Sequence, residues 1–223
     1  SVGPIDGRWG KNSEIAVFWF QQQNGLESSG DVDEATFRAL AQTGTAGGPT
    51  LATYTITPDD AKGPFTRIPD DVYEQEALAC LCYENLGELV AEKFHATRGL
   101  LERLNSSVEL DSLDAGATIL VPNVRSAAYE AELPKFAKIV VSVEGSYLHG
   151  VAADGRVLFH SPTTLGSEYD PSPSDTLEIV KTTSKPWFHY QPTLFHEVSN
   201  DDPEANPKPG PNSPVGAVWI ALS

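Results

Sequence analysis

Two cysteines and five histidines are the side chains of this chain that could act as a nucleophile, a proton relay or a soft metal ligand. Cys80 and Cys82 stand in Ala77-Leu78-Ala79-Cys80-Leu81-Cys82. A spacing of i, i+2 reads as a poor one for a bond between them, because disulfide geometry is specific. Their apolar neighbours suggest buried, inert thiols rather than an activated thiolate. Two cysteines are too few for a four-cysteine zinc cluster. Neither Gly-x-Ser-x-Gly nor His-Glu-x-x-His occurs. His95 closes a helical segment, where a cation complements the helix dipole. His149 and His160 fall on two strands of one hairpin and read as a surface pair. His189 and His196 stand near Asp201, Asp202 and Glu204, without the tight spacing of a ligand set, so no metal and no cofactor is expected.

The elements that must position these residues belong to a chain of 223 residues with 40% hydrophobic and 21% charged side chains. That composition is globular. No apolar run approaches the roughly 20 residues of a membrane span. Fifteen basic against thirty-one acidic residues give a net charge of −16. Such a chain is a poor ligand for phosphate backbones, so no nucleic-acid partner is expected. No basic-then-apolar leader stands at Ser1, so any secretory signal is expected outside this sequence.

Three zones follow one another. In residues 1–42, Asn12 or Ser13 is placed to cap a helix carrying Ile15, Phe18, Trp19 and Gln22 and ending at Asn24-Gly25. Helical spacing makes Phe18 and Trp19 core residues. A second helix is predicted from Asp33 to Leu40. Residues 43–51 hold a Thr/Gly/Ala/Pro linker. Residues 52–123 are mostly helical. Leu86, Leu89, Val90 and Phe94 form one amphipathic face, Thr97 caps the next helix, and Leu100, Leu101 and Leu104 point inward. Strands Thr53–Ile56 and Thr118–Pro122 flank these helices. A second linker covers 124–136. Residues 137–223 are β-rich. Lys138–Val143 is an apolar run suited to a strand buried on both faces. Ser146–Val151 and Arg156–Ser161 flank the turn former Asp154-Gly155, and Leu177–Val180 and Ala217–Leu222 are further strands. The fold class is α+β and multi-domain.

Asp6-Gly7-Arg8-Trp9-Gly10, Ser13, Ala16-Val17, Phe20-Gln21, Gly25-Leu26, Gly30, Asp33, Thr36 and Leu40 resemble the peptidoglycan-binding repeat. The resemblance implies a small helical module whose first helix would precede Ser1. It makes Trp9, in a turn, a candidate for stacking on a sugar ring. Tyr54-Thr55-Ile56, Ala91-Glu92-Lys93-Phe94, Leu104-Asn105 and Gly116–Pro122 resemble a LysM module, a βααβ fold that binds N-acetylglucosamine polymers. Here the pattern is interrupted by an insertion, Thr57 to Tyr83, and Ser106 stands where that family has proline. Zone three resembles the first half of an L,D-transpeptidase domain of the YkuD type. The resemblance is carried by Ile139–Ser142, Tyr147-Leu148, Asp154-Gly155-Arg156, Gly166–Pro171, Phe188-His189-Tyr190, Pro209–Asn212 and Pro214–Ile220, although Asp175 replaces a common glycine.

That last resemblance implies a periplasmic or cell-envelope enzyme acting on peptidoglycan glycan and stem peptides. A cysteine thiolate, activated by a histidine, would attack a donor stem, release D-alanine and pass the acyl group to a second stem. The family carries these groups on a histidine-glycine pair and a serine-histidine-glycine-cysteine motif. Neither occurs in these 223 residues, and both are expected beyond Ser223. No catalytic residue is therefore assigned, and the chain alone is expected to be inactive. The same resemblance places the loop Lys185–Asn212 beside the cleft and makes His189 and Tyr190 substrate-binding candidates. The alternative is a non-catalytic protein that tethers to the wall, and a wall hydrolase fits zone three less well. A half-domain of this kind is expected to leave a strand edge and apolar surface exposed.

Overall fold

The computed structural model describes residues 2–43, 49–124, 135–169, 171–195 and 198–223. His196, most of both linkers, and Asp170 of the Gly166–Pro171 motif lie outside these residues. The chain is mixed α/β, with six helices and three small sheets among the described residues. Among the described residues no helix is long and apolar enough to cross a membrane. Two compact units form: residues 1–54, 91–107 and 118–172 make one, and residues 55–90, 108–117 and 173–223 make the other.

The first unit begins with α1 (Lys11–Gln23) and α2 (Glu34–Thr43). Helix α1 starts earlier than predicted, with Gly10 at the cap, because the Asp6–Gly10 turn already orients the chain. Ser13 lies within the first turn, and its hydroxyl accepts the Gly10 N–H at 3.5 Å. Asn24 ends the helix as expected. Asp33 caps α2, its carboxylate accepting the Thr36 N–H at 2.7 Å. The Thr36 hydroxyl first, and this bond second, hold the Asp33 pKa below the ordinary carboxylate value.

Strand β1 (Leu51–Thr55) pairs with β2 (Thr118–Pro122), and α5 (Leu86–Lys93) and α6 (Arg98–Leu104) lie between them in sequence. Thr97 caps α6 as predicted, accepting the Leu100 N–H, and Leu100 and Leu101 are buried. Asn105 joins α6 to β2. Its amide donates to the carbonyls of Leu101 and Leu120, both at 2.8 Å, and its oxygen accepts the Leu120 N–H at 2.7 Å. The insertion contributes α3 (Pro58–Lys62) and α4 (Val72–Ala77) to the second unit, capped by Thr57 and Asp71.

Strands β3 (Lys138–Ser142), β4 (Tyr147–Val151) and β5 (Val157–Pro162) form an antiparallel sheet in that order. In the second unit β6 (Ile179–Ser184) pairs antiparallel with β7 (Val218–Leu222). The expectation that residues 138–143 are buried on both faces fails: Ile139, Val140, Val141 and Val143 are exposed. The physical reason is position, since β3 is an edge strand paired only with β4 among the described residues. Ile179, Val180, Val218, Trp219, Ile220 and Leu222 are exposed as well.

Candidate functional site

The turn before α1 builds a groove of about 620 Å³, lined by residues 4–13 with Val2 and Thr97. Asp6 shapes it, its carboxylate accepting the Arg8 N–H at 2.9 Å. Gly7 is needed for two reasons. Its φ is +71°, a region that L side chains rarely adopt, and a Cβ would meet Leu100 at 3.1 Å. Trp9 stands on this turn with 58% of its surface exposed. The groove therefore combines an aromatic face with the cations of Arg8 and Lys11 and the polar ends of Asp6, Asn12 and Ser13. This set can stack on a sugar ring and bond hydroxyl, amide and carboxylate groups.

The module is fastened below the groove. Ile5 makes a parallel bridge with Ala96: Ile5 N–H donates to the His95 carbonyl at 2.7 Å, and Thr97 N–H to the Ile5 carbonyl at 2.9 Å. His95 reaches this position in the left-handed region, at φ +50°, two residues after α5. Arg103 donates to the Asp6 carbonyl.

Inside the module the buried α1 residues are Val17 and Gln21, not Phe18, which is exposed, or Gln22. Gln21 is fully buried. Its amide nitrogen donates to Thr36 Oγ1 at 2.9 Å, the Asp31 carbonyl at 2.8 Å and Ser29 Oγ at 3.3 Å, and its oxygen accepts the Gly30 N–H at 2.9 Å. Gly30 has φ +82°, and a Cβ there would meet the Glu14 carbonyl oxygen at 3.2 Å. The signature residues Val17, Gln21, Gly30, Asp33 and Thr36 thus set the module's internal structure.

Trp19 is half-buried, packed against the hairpin β4–β5 rather than inside the module. The predicted surface pair His149 and His160 is buried, at 4% and 6% exposure. The strand register puts them opposite each other, and Trp19 and Tyr147 cover them. Burial pushes the His160 pKa down to about 4, helped by His149, and burial lowers that of His149 too. Sequence reading found the pairing through the Asp154-Gly155 turn but missed the aromatic cover, which comes from α1.

In the second unit His189 is exposed, with Nδ1 at hydrogen-bonding distance from Asn206 Oδ1. Tyr190 is half-buried. Its backbone pairs with Ala205, and its ring stacks on Phe195 at 5.2 Å. His189 stays apart from any acidic ligand set: among the described residues no three His, Cys, Asp or Glu side chains gather as metal ligands.

The cysteines overturn a sequence expectation. Cys80 and Cys82 form a disulfide, with Cα atoms 5.1 Å apart, and are not inert thiols. The segment leaves the helix at Ala77 and runs without helical structure, so the i and i+2 side chains fall on one side of the chain and can meet. Neither sulfur is a free thiol that could serve as a nucleophile.

No curated protein matches the chain. Residues 1–40 match the family model described as a putative peptidoglycan binding domain, so the groove and the glutamine-centred core beneath it belong to a peptidoglycan-binding module.

Proposed function

We propose that this chain is the wall-binding and partial catalytic region of an L,D-transpeptidase that cross-links peptidoglycan stem peptides in the periplasm or cell envelope. The observation that carries the wall-binding part is the N-terminal module, with Trp9 exposed on a groove that also holds Arg8 and Lys11. The transferase part rests on the zone-three residues Ile139–Ser142, Asp154-Gly155-Arg156, Phe188–Tyr190 and Pro209–Ile220. In this reading residues 52–123 are a LysM-like module that adds glycan contact, and zone three begins at residue 137. His189 and Tyr190 lie beside the donor peptide.

Catalysis would require a thiolate and a histidine on the two motifs that are missing from these 223 residues. The bonded state of Cys80 and Cys82 supports inactivity of this chain by itself. Co-sedimentation with insoluble peptidoglycan tests the binding claim: pelleting is expected, and a folded sample that stays in the supernatant refutes it. Incubation with a carbapenem tests the second claim. No acyl adduct is expected on this chain, and an adduct seen by intact mass would overturn its assigned inactivity.

The tethering alternative draws on the same module and on Cys80–Cys82 holding no free thiol. It is separated from the first reading by transfer assays on the full-length protein. Cross-linking of a stem-peptide donor favours the transpeptidase, and pelleting without transfer favours the tether.

A further inference from the structure

Residues 73–82 of the insertion do more than interrupt a module. They grip the loop that runs from Pro203 to Ser213, within the same unit. The contacts run in parallel along both segments. Tyr73 Oη donates to the Pro203 carbonyl at 2.9 Å, and Asn206 N–H donates to Glu76 Oε1 at 3.0 Å. Lys208 Nζ donates to the Leu78 carbonyl at 2.8 Å. Asn212 closes the row, its backbone N–H reaching the Leu81 carbonyl at 3.0 Å and its side-chain amide the Cys82 carbonyl at 2.8 Å.

The disulfide sits at the tightest point of this row. Leu81, the one residue between the two cysteines, is fully buried. Gly210 lies so close to it that any Cβ there would overlap the Leu81 carbonyl. A cross-link between residues two apart closes a very small loop, so it restricts the unfolded chain little. Its main effect is local: it fixes the direction of the Leu81 and Cys82 carbonyls, the two acceptors that Asn212 needs. Both cysteines are only half-buried, which leaves them open to an incoming thiolate.

We propose that the Cys80–Cys82 disulfide is a redox-controlled clasp that locks the 206–213 turn onto the 76–82 strap and is opened by an external dithiol. The exchange is balanced. One thiolate of the dithiol attacks a cysteine sulfur and breaks the S–S bond, and the second thiolate resolves the mixed disulfide. Cys80 and Cys82 leave as two thiols, and the dithiol becomes a disulfide. With the cross-link gone the Leu81 and Cys82 carbonyls turn, and Asn212, which closes the row, loses its two acceptors, so the row opens from that end. This holds whether or not zone three serves a transpeptidase, because it depends only on contacts inside the chain.

Hydrogen exchange on the 223-residue chain tests it, read by mass spectrometry with and without dithiothreitol, the thiol state being counted by alkylation. In the oxidised chain the amides of Asn206 and Asn212 are protected. Reduction is expected to speed their exchange about tenfold or more while the Gln21 region of the N-terminal module stays unchanged. Cys80→Ser with Cys82→Ser should reproduce the reduced pattern without dithiol. Gly210→Ala should show the same loss with the disulfide intact. Unchanged protection in a chain shown by alkylation to be reduced overturns the proposal. So does alkylation of both cysteines in an air-oxidised, folded sample never exposed to reductant.

Discussion

His149 Nε2 lies 3.1 Å from His160 Nδ1 across the β4–β5 hairpin, and the Trp19 ring centroid is 4.2 Å from that of His149. Two imidazoles this close share one hydrogen bond only while at least one is unprotonated. Trp19 and Tyr147 lie against them, so a charge on either would be set among aromatic rings. Helix α1 is thus seated, through Trp19, on a pair of side chains whose burial favours the neutral form.

Stability should therefore depend on acid. The unfolded histidine pKa is near 6.5, and the folded His160 value is depressed to about 4, by burial first and by His149 second. Between those values the unfolded chain binds more protons than the folded one. Stability is then complete above about pH 6.5 and falls as the pH drops toward 4. Thermal melts over this range should show that slope for the wild type. His160→Gln should flatten it, and an unchanged slope in that variant would remove the histidine pair as the cause.

Gln21→Ala should destabilise the N-terminal module by roughly 2–4 kcal/mol, since it strands the Gly30 N–H and empties a buried polar position. Denaturant unfolding followed by circular dichroism measures it. Gln22→Ala, one residue on and exposed, is the matched control and should change stability by less than about 0.5 kcal/mol.

Asn105→Ala should cost roughly 2–3 kcal/mol, because two hydrogen bonds that join the end of α6 to β2 and one back to Leu101 within α6 are lost, and the Leu120 N–H is left without its acceptor. Leu120 itself is exposed, so its amide exchange is a direct readout and should accelerate in the variant.

Trp9→Ala should leave the melting temperature in place, because the ring is mostly exposed. Retention on insoluble peptidoglycan should fall by up to about tenfold, the scale of one stacked aromatic ring. Full retention would move the binding surface away from the Asp6–Gly10 turn.

Much of this was legible in local pattern. The Asp33 and Thr97 caps, the Asn24 helix end and the Asp154-Gly155 hairpin depend on neighbours a few residues away, and such signals are written in short stretches of chain. The face that α1 buries was misread because Phe18 and Trp19 are large and apolar. The tertiary setting instead chose Val17 and Gln21, with Gln21 satisfied by residues 8 to 15 positions on. The cysteine pair was misread from its i, i+2 spacing and apolar neighbours. Local extension of the chain after Ala77, which no periodicity announces, brings the two sulfurs together. The burial of His149 and His160 depends on a helix more than a hundred residues away in sequence. Lys138–Val143 has the composition of a core strand, and its edge position is a matter of topology that composition does not encode.

The Ile5–Ala96 bridge changes what the residue 43–51 segment is for. A binding module hung on a linker alone samples a volume set by linker length, and it loses that freedom when it engages its ligand. Here the Ile5 bonds to His95 and Thr97, with Arg103 on the Asp6 carbonyl, make a second attachment that bypasses the linker. The module's reach is then fixed by α6. Trp9 is thereby held at a set distance and angle from Thr97. The anchor works as a gauge, setting the height of the Asp6–Gly10 turn over the rest of its unit.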